Sequence, residues 1–138
     1  MLQSKSLCGV TLQYNIEGDG YPVILMHGWG CNHTTVQSIE RLLSPHFKVY
    51  NLDFPGFGGS SIPPSIWGVE EYTQMLEAFV KDENIEAPIL IGHSFGGRVS
   101  ILYASRNKTH TPIKILPESL LVQTVEKSLT TCNREKTS

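Results

Sequence analysis

Between Val10 and Ile16, apolar side chains recur at every second position, the period of a strand with one buried face. Glu17-Gly18-Asp19-Gly20 then reads as a hairpin turn, which makes Val10–Ile16 an antiparallel edge strand. Pro22–Met26 and Ile89–Ile91 are short and wholly apolar, as strands covered on both faces are, and Phe47–Asp53 resembles a further parallel strand. Helical spacing separates these runs. Val36, Ile39 and Leu43 fall on one face of a helix over residues 34–43, with Asn32 or Thr34 as its N-cap. From Val69 the positions Val69, Tyr72, Met75, Leu76, Phe79 and Val80 recur at intervals of three and four, with Glu70 and Glu71 in the first turn. Val99, Leu102, Tyr103 and Arg106 share a face of a third helix, and Ile101 and Ala104 extend its apolar circumference.

Alternating strands and helices predict an α/β fold: an open, mostly parallel sheet with helices on both faces and an antiparallel N-terminal edge strand. Reactive groups in such a sheet belong at the carboxyl ends of its strands. Three glycine-bearing loops fall there, His27–Gly30, Asp53–Ser60 and Gly92–Gly97.

The third loop, Gly92-His93-Ser94-Phe95-Gly96-Gly97, carries the candidate chemistry. A serine at a tight strand-to-helix turn needs small residues two before and two after it, and Gly92 and Gly96 fill those places. The pattern is that of a nucleophile elbow. Neither a phosphate-binding G-x-x-x-x-G-K-[ST] loop nor a dinucleotide G-x-G-x-x-G loop stands at a strand-to-helix turn. Trp29, Phe57, Trp67 and Phe95 are candidates for lining an apolar acyl site.

Composition narrows the classes. A net charge of -2 without a basic cluster argues against nucleic acid, and no apolar stretch has the length of a signal peptide or a membrane span. The expectation is a cytoplasmic protein with neither nucleic acid nor membrane as partner. Cys8, Cys31 and Cys132 are widely spaced, so no metal site and no disulfide framework is indicated, and no cofactor is expected.

His27-Gly28-Trp29-Gly30, Asp53-Phe54-Pro55-Gly56-Phe57-Gly58 and the Ser94 loop, in this order and spacing, resemble the α/β-hydrolase fold superfamily. Within it the pattern is most similar to small cytoplasmic esterases and carbon–carbon bond hydrolases. The resemblance implies that Ser94 is a nucleophile forming an acyl-enzyme from a small-molecule ester or other acyl substrate. It places the oxyanion-hole N–H groups at Phe95 and Trp29, and makes His27, Gly28, Gly92, His93 and Gly96 supports of the loops. Asp53 is read as a brace. Haloalkane dehalogenases and epoxide hydrolases of this superfamily carry aspartate where Ser94 stands.

The resemblance covers residues 1–107 as the N-terminal core, with residues 108–138 an atypical tail. There Ile113–Leu116 reads as a short strand and Leu121, Val122, Val125 and Leu129 as one face of a helix begun at Pro117. Thr130–Ser138 is polar. No aspartate follows Glu83, and His110 is the one histidine beyond Ser94. The triad acid and histidine of the superfamily therefore have no counterpart in the expected order, as in a hydrolase cut short near residue 108 by truncation or a reading-frame change. Such a chain would turn over little and expose an open sheet edge suited to self-association.

Overall fold

The computed structural model describes residues 1–109 and 114–115. Six strands form one sheet: β1 (Leu2–Leu7), β2 (Val10–Glu17), β3 (Tyr21–Met26), β4 (Phe47–Leu52), β5 (Ile89–Gly92) and β6 (Lys114–Ile115), in the order β1-β2-β4-β3-β5-β6. The β3, β4, β5 and β6 pairings are parallel, and β1 and β2 add an antiparallel margin. The short strand foreseen around Ile113–Leu116 is β6, whereas the helix begun at Pro117, His110, Cys132 and the polar end lie outside the described residues.

Three helices cover the sheet: α1 (Gln37–Leu43), α2 (Val69–Asp82) and α3 (Phe95–Arg106). Alternation along the strands divides the core in two. On β3, Ile24 and Met26 pack in a cluster with Tyr72, Met75, Leu76 and Phe79 of α2 and Val99 and Tyr103 of α3. Val23 and Leu25, one residue out of step, face Val36 and α1 residues Ile39 and Leu43. The helices therefore lie on both faces, and the fully buried apolar run of β3 follows from being covered twice.

Helix starts follow the sequence signals closely. Asn32 caps a 3-10 turn at His33–Val36, accepting from the Thr34 N–H at 2.9 Å, and α1 continues from it. Glu71 reaches back to the Gly68 N–H at 3.0 Å, so an acidic first turn also closes the N-terminus of α2.

Three expectations need correction. Val10–Ile16 is not the edge: β1 lies outside it, joined by a turn in which Cys8 and Gly9 both have positive φ, 50° and 76°. Residues 17–20 are not a hairpin turn, because β2 pairs with β4 and the link to β3 spans the width of that intervening strand. Gly18 is required there, since a Cβ at its φ of 81° would collide with the Ser44 and Phe47 carbonyls. On α3, Ile101 is 52% exposed, so the apolar circumference read from the sequence is only partly buried. Among the described residues no helix is long and apolar enough to cross a membrane.

Candidate active site

The strand order fixes where a site can form. From β3 the chain moves to β4 on one side and then crosses back to β5 on the other, so the ends of β3, β4 and β5 flank a topological switch point. The loops after Met26, Leu52 and Gly92 all emerge there.

Ser94 occupies the turn between β5 and α3 at φ 53°, ψ −111°, a region that L residues rarely enter. Its neighbours enforce it. A Cβ on Gly92 would collide with the Gly96 carbonyl and the Gly97 nitrogen, and one on Gly96 with the Met26 carbonyl. The His93 N–H donates to Met26 O at 3.0 Å, and the Gly97 N–H to Ser94 O at 2.9 Å, so the turn is stitched both to β3 and to its own helix. The serine itself is exposed, and its side chain makes no capping hydrogen bond. Phe95, the first residue of α3, presents an N–H that has no acceptor within the helix.

The loop after β3 lies against this turn. A Cβ on Gly28 would sit 3.4 Å from Ser94 Cβ and 3.1 Å from His93 Nδ1, tight enough that a side chain there would press on the Ser94 turn. His27 is fully buried. Its Nε2 accepts the Phe54 N–H at 2.9 Å while Nδ1 lies 2.7 Å from Gly28 O, and a carbonyl only accepts, so the ring is the neutral Nδ1–H tautomer. Burial pushes the pKa of this imidazole below its ordinary value, against the opposing pull of the Gly28 carbonyl and the Asp53 charge. With both nitrogens engaged, His27 ties two loops together and has no free lone pair for a substrate.

Trp29 is 59% exposed, with its ring edge-on to Phe57 at 4.8 Å and Phe95 at 5.1 Å. Tyr72 stands behind, 5.3 Å from Phe95, and donates its hydroxyl to Pro55 O at 2.7 Å. Trp67 meets Tyr72 at 5.3 Å rather than Trp29, so it joins the outer part of this aromatic group.

Asp53 is buried and saturated. Oδ1 accepts from the His33 N–H at 2.7 Å and lies 2.8 Å from His33 Nδ1. Oδ2 accepts from Gln13 Nε2 at 2.9 Å and the Gly59 N–H at 3.0 Å. Burial opposes its ionisation, but the Gly59 and His33 amides, the His33 ring and the Gln13 amide outweigh it and hold the carboxyl below its ordinary pKa. Gln13, His33 and Ser60, whose hydroxyl donates to Asp53 O at 2.6 Å, carry no sequence signal for this bracing role. Their separations along the chain reveal it only after folding. Among the described residues, buried polar atoms without a partner include His93 Nδ1 and Asn51 Oδ1.

Residues 21–116 match the family profile of the alpha/beta hydrolase fold. The chain belongs to the α/β-hydrolase fold family. Pimeloyl-[acyl-carrier protein] methyl ester esterase of Vibrio cholerae is 33% identical over 94 residues, which cover 66% of this chain and 34% of the esterase. The haloalkane dehalogenase DatA from Agrobacterium tumefaciens superposes with a TM-score of 0.77 at 20% identity, over 83% of this chain and 40% of that one. A membrane phospholipase A, a bacterial virulence factor, gives 0.73 at 28% identity, over 77% of this chain and 35% of its own. This α/β-hydrolase chain thus spans about a third of the length of the curated esterase it matches.

Proposed function

We propose that the chain carries the nucleophile half of a serine hydrolase site for an ester or other acyl substrate. The observation that carries this reading is the strained, exposed Ser94 at the switch point, with Gly28 packed against it. Strain of this kind costs on the order of 1–3 kcal/mol and persists where the surroundings over-determine it.

In this mechanism Ser94 Oγ attacks the acyl carbon, the alcohol leaves, and water hydrolyses the resulting acyl-enzyme. The tetrahedral oxyanion is received by the Phe95 and Trp29 N–H groups, with the partial positive charge of the α3 N-terminus behind them. His27, Gly28, Gly92, His93 and Gly96 support the loops, and Asp53 fixes the neighbouring one. A serine in place of a carboxylate directs the chemistry to acyl transfer, away from the chemistry named for the dehalogenase and the epoxide hydrolases of this fold. The proton on Oγ needs an acceptor, and His27 is excluded by its two hydrogen bonds. His93 is kept as a support of the elbow, and the base and its orienting acid are assigned to the part of the fold beyond the described residues, where the resemblance expects them. His110 is the candidate within this sequence.

Incubation with p-nitrophenyl butyrate followed by peptide mass mapping tests the reading. A butyryl group on the Ser94 peptide, absent from Ser94→Ala, is the expected result, and its persistence in His110→Ala would assign the base elsewhere. A folded sample that takes no butyryl group at Ser94 would instead indicate a non-catalytic binding pocket.

A further inference from the structure

Formal charge is distributed unevenly around the sheet. The chain has eleven Lys and Arg and thirteen Asp and Glu, yet none of them falls in residues 20–39, 54–69 or 87–97. These three stretches contain the three loops that meet at Ser94. Asp53 stands at the head of one, but it is buried and its carboxylate is taken up by His33, Gln13 and Gly59. Arg98, exposed and one helical turn beyond Ser94, is the first formal charge met along α3. The large side chains that the loops offer to solvent are apolar, Trp29 at 59% exposure beside Phe57 and Phe95, and Ile62 and Ile66 at 82% and 97% on the loop after β4, while the exposed polar ones, among them Ser61, Ser65 and Ser94, carry no formal charge.

A carboxylate or phosphate laid against these rings, away from the N–H groups at Ser94, would lose water without gaining a charged side chain from the loops, whereas a hydrocarbon would lose only unfavourable contact with water. We propose that the acyl group taken by Ser94 is uncharged and apolar, an aliphatic chain of several carbons or an aryl ring packed along Trp29, Phe57 and Phe95. This rests on the reading of Ser94 as the acyl acceptor and adds to it the class of group accepted.

Three fluorophosphonates test it on the full 138-residue chain: one with an ethyl group, one with an octyl group, and an octyl analogue ending in a carboxylate. Each buried methylene is worth about fourfold in binding, so partial burial of the longer chain gives the octyl reagent roughly a tenfold faster reaction at Ser94. The carboxylate should return the rate to the ethyl value or below, and Phe57→Ala should narrow the octyl-to-ethyl ratio. Equal rates for ethyl and octyl, or a carboxylate reagent as fast as octyl, would overturn the proposal; a carboxylate preference lost in Arg98→Gln would show an anion site in its place. Tryptophan emission supplies a readout that needs no chemistry. Octanamide should perturb the Trp29 signal, identified by its loss in Trp29→Phe, and an octanamide ending in a carboxylate should not. An emission response with no adduct on Ser94 removes the nucleophile and keeps the apolar site, while labelling without chain preference does the reverse.

Discussion

The loop after β4 and the turn after β5 stand side by side at the end of the same sheet, and they are finished in opposite ways. Asp53 is fully buried and accepts from two backbone amides and two side chains. Ser94 is exposed, held at φ 53°, and its hydroxyl caps nothing. At the head of one loop the polar group is buried and satisfied; the other turn stores strain and leaves its polar group free. The two are linked through the loop after β3, where His27 accepts the Phe54 N–H of the first and Gly28 packs against Ser94 of the second, so the saturated loop helps to sustain the strained turn. The difference teaches that the supports of this site are read from saturation and its proposed reactive group from the lack of it.

Crowding the turn is the largest way to break that contrast. Gly96→Ala puts a methyl group into the Met26 carbonyl, so a loss of about 3 kcal/mol or more is expected, read as the midpoint of urea unfolding. A midpoint within experimental error of the parent would show that the turn is not locked against β3.

Emptying the saturated loop comes next. Asp53→Ala leaves the His33 and Gly59 amides and the Gln13 side chain without their acceptor, which costs on the order of 2–3 kcal/mol. The pH dependence has a defined sign. The folded carboxyl titrates below its unfolded value of about 3.9, so its stabilisation is complete above that pH and is lost as pH falls through the lowered folded value. Asp53→Asn should therefore flatten the acid limb of a plot of Tm against pH; an unchanged limb would mean that Asp53 is not ionised in the fold.

Cutting the tie between the loop after β3 and the loop after β4 is a smaller change. His27→Ala leaves the Phe54 N–H and Gly28 O unpaired and opens a cavity, for about 2 kcal/mol. With the imidazole pKa lowered by burial, its contribution is complete above an unfolded value of about 6.5 and declines as pH falls from there toward the folded value. The variant should lose that part of the pH dependence near neutrality, separately from the Asp53 limb.

The smallest effect has the opposite sign. Ser94→Gly relieves the positive φ and is expected to stabilise by up to about 1 kcal/mol, net of the flexibility glycine adds to the unfolded chain. Destabilisation on that substitution would mean that the turn is not strained.

The turn at Ser94 was legible in the sequence because its requirement is steric and local. Gly92 must be small because Gly96 and Gly97 stand against it within five residues, whereas the space at Gly96 is closed by the Met26 carbonyl of β3, which the local pattern marks without naming. The helices were legible for a related reason, since Tyr72, Met75, Leu76 and Phe79 write their buried face into the spacing. Strand β1 was not legible. Its side chains alternate between exposed and half-buried without one that is fully buried, so hydrophobic periodicity has nothing to report. Its turn uses Cys8-Gly9 rather than the Asn-Gly or Asp-Gly that announces a hairpin. The bracing of Asp53 was hidden by distance along the chain, with Gln13 forty residues away and His33 twenty. Contacts of that range follow from the strand order, and the order β2-β4-β3 places a link where the sequence suggests a hairpin.

The measurement that bears most directly on Ser94 as a positioned nucleophile is reaction of the full chain with a fluorophosphonate, followed by mass mapping and repeated on Ser94→Ala. An oxyanion hole and binding alone retain roughly 10³- to 10⁴-fold acceleration over water when triad members are missing, so modification should concentrate on Ser94 even without a base among the described residues. The predicted result is one adduct, on the Ser94 peptide, that disappears in Ser94→Ala while the fold by circular dichroism is unchanged. An unmodified Ser94 in a folded sample, or an adduct that survives the substitution, would contradict it.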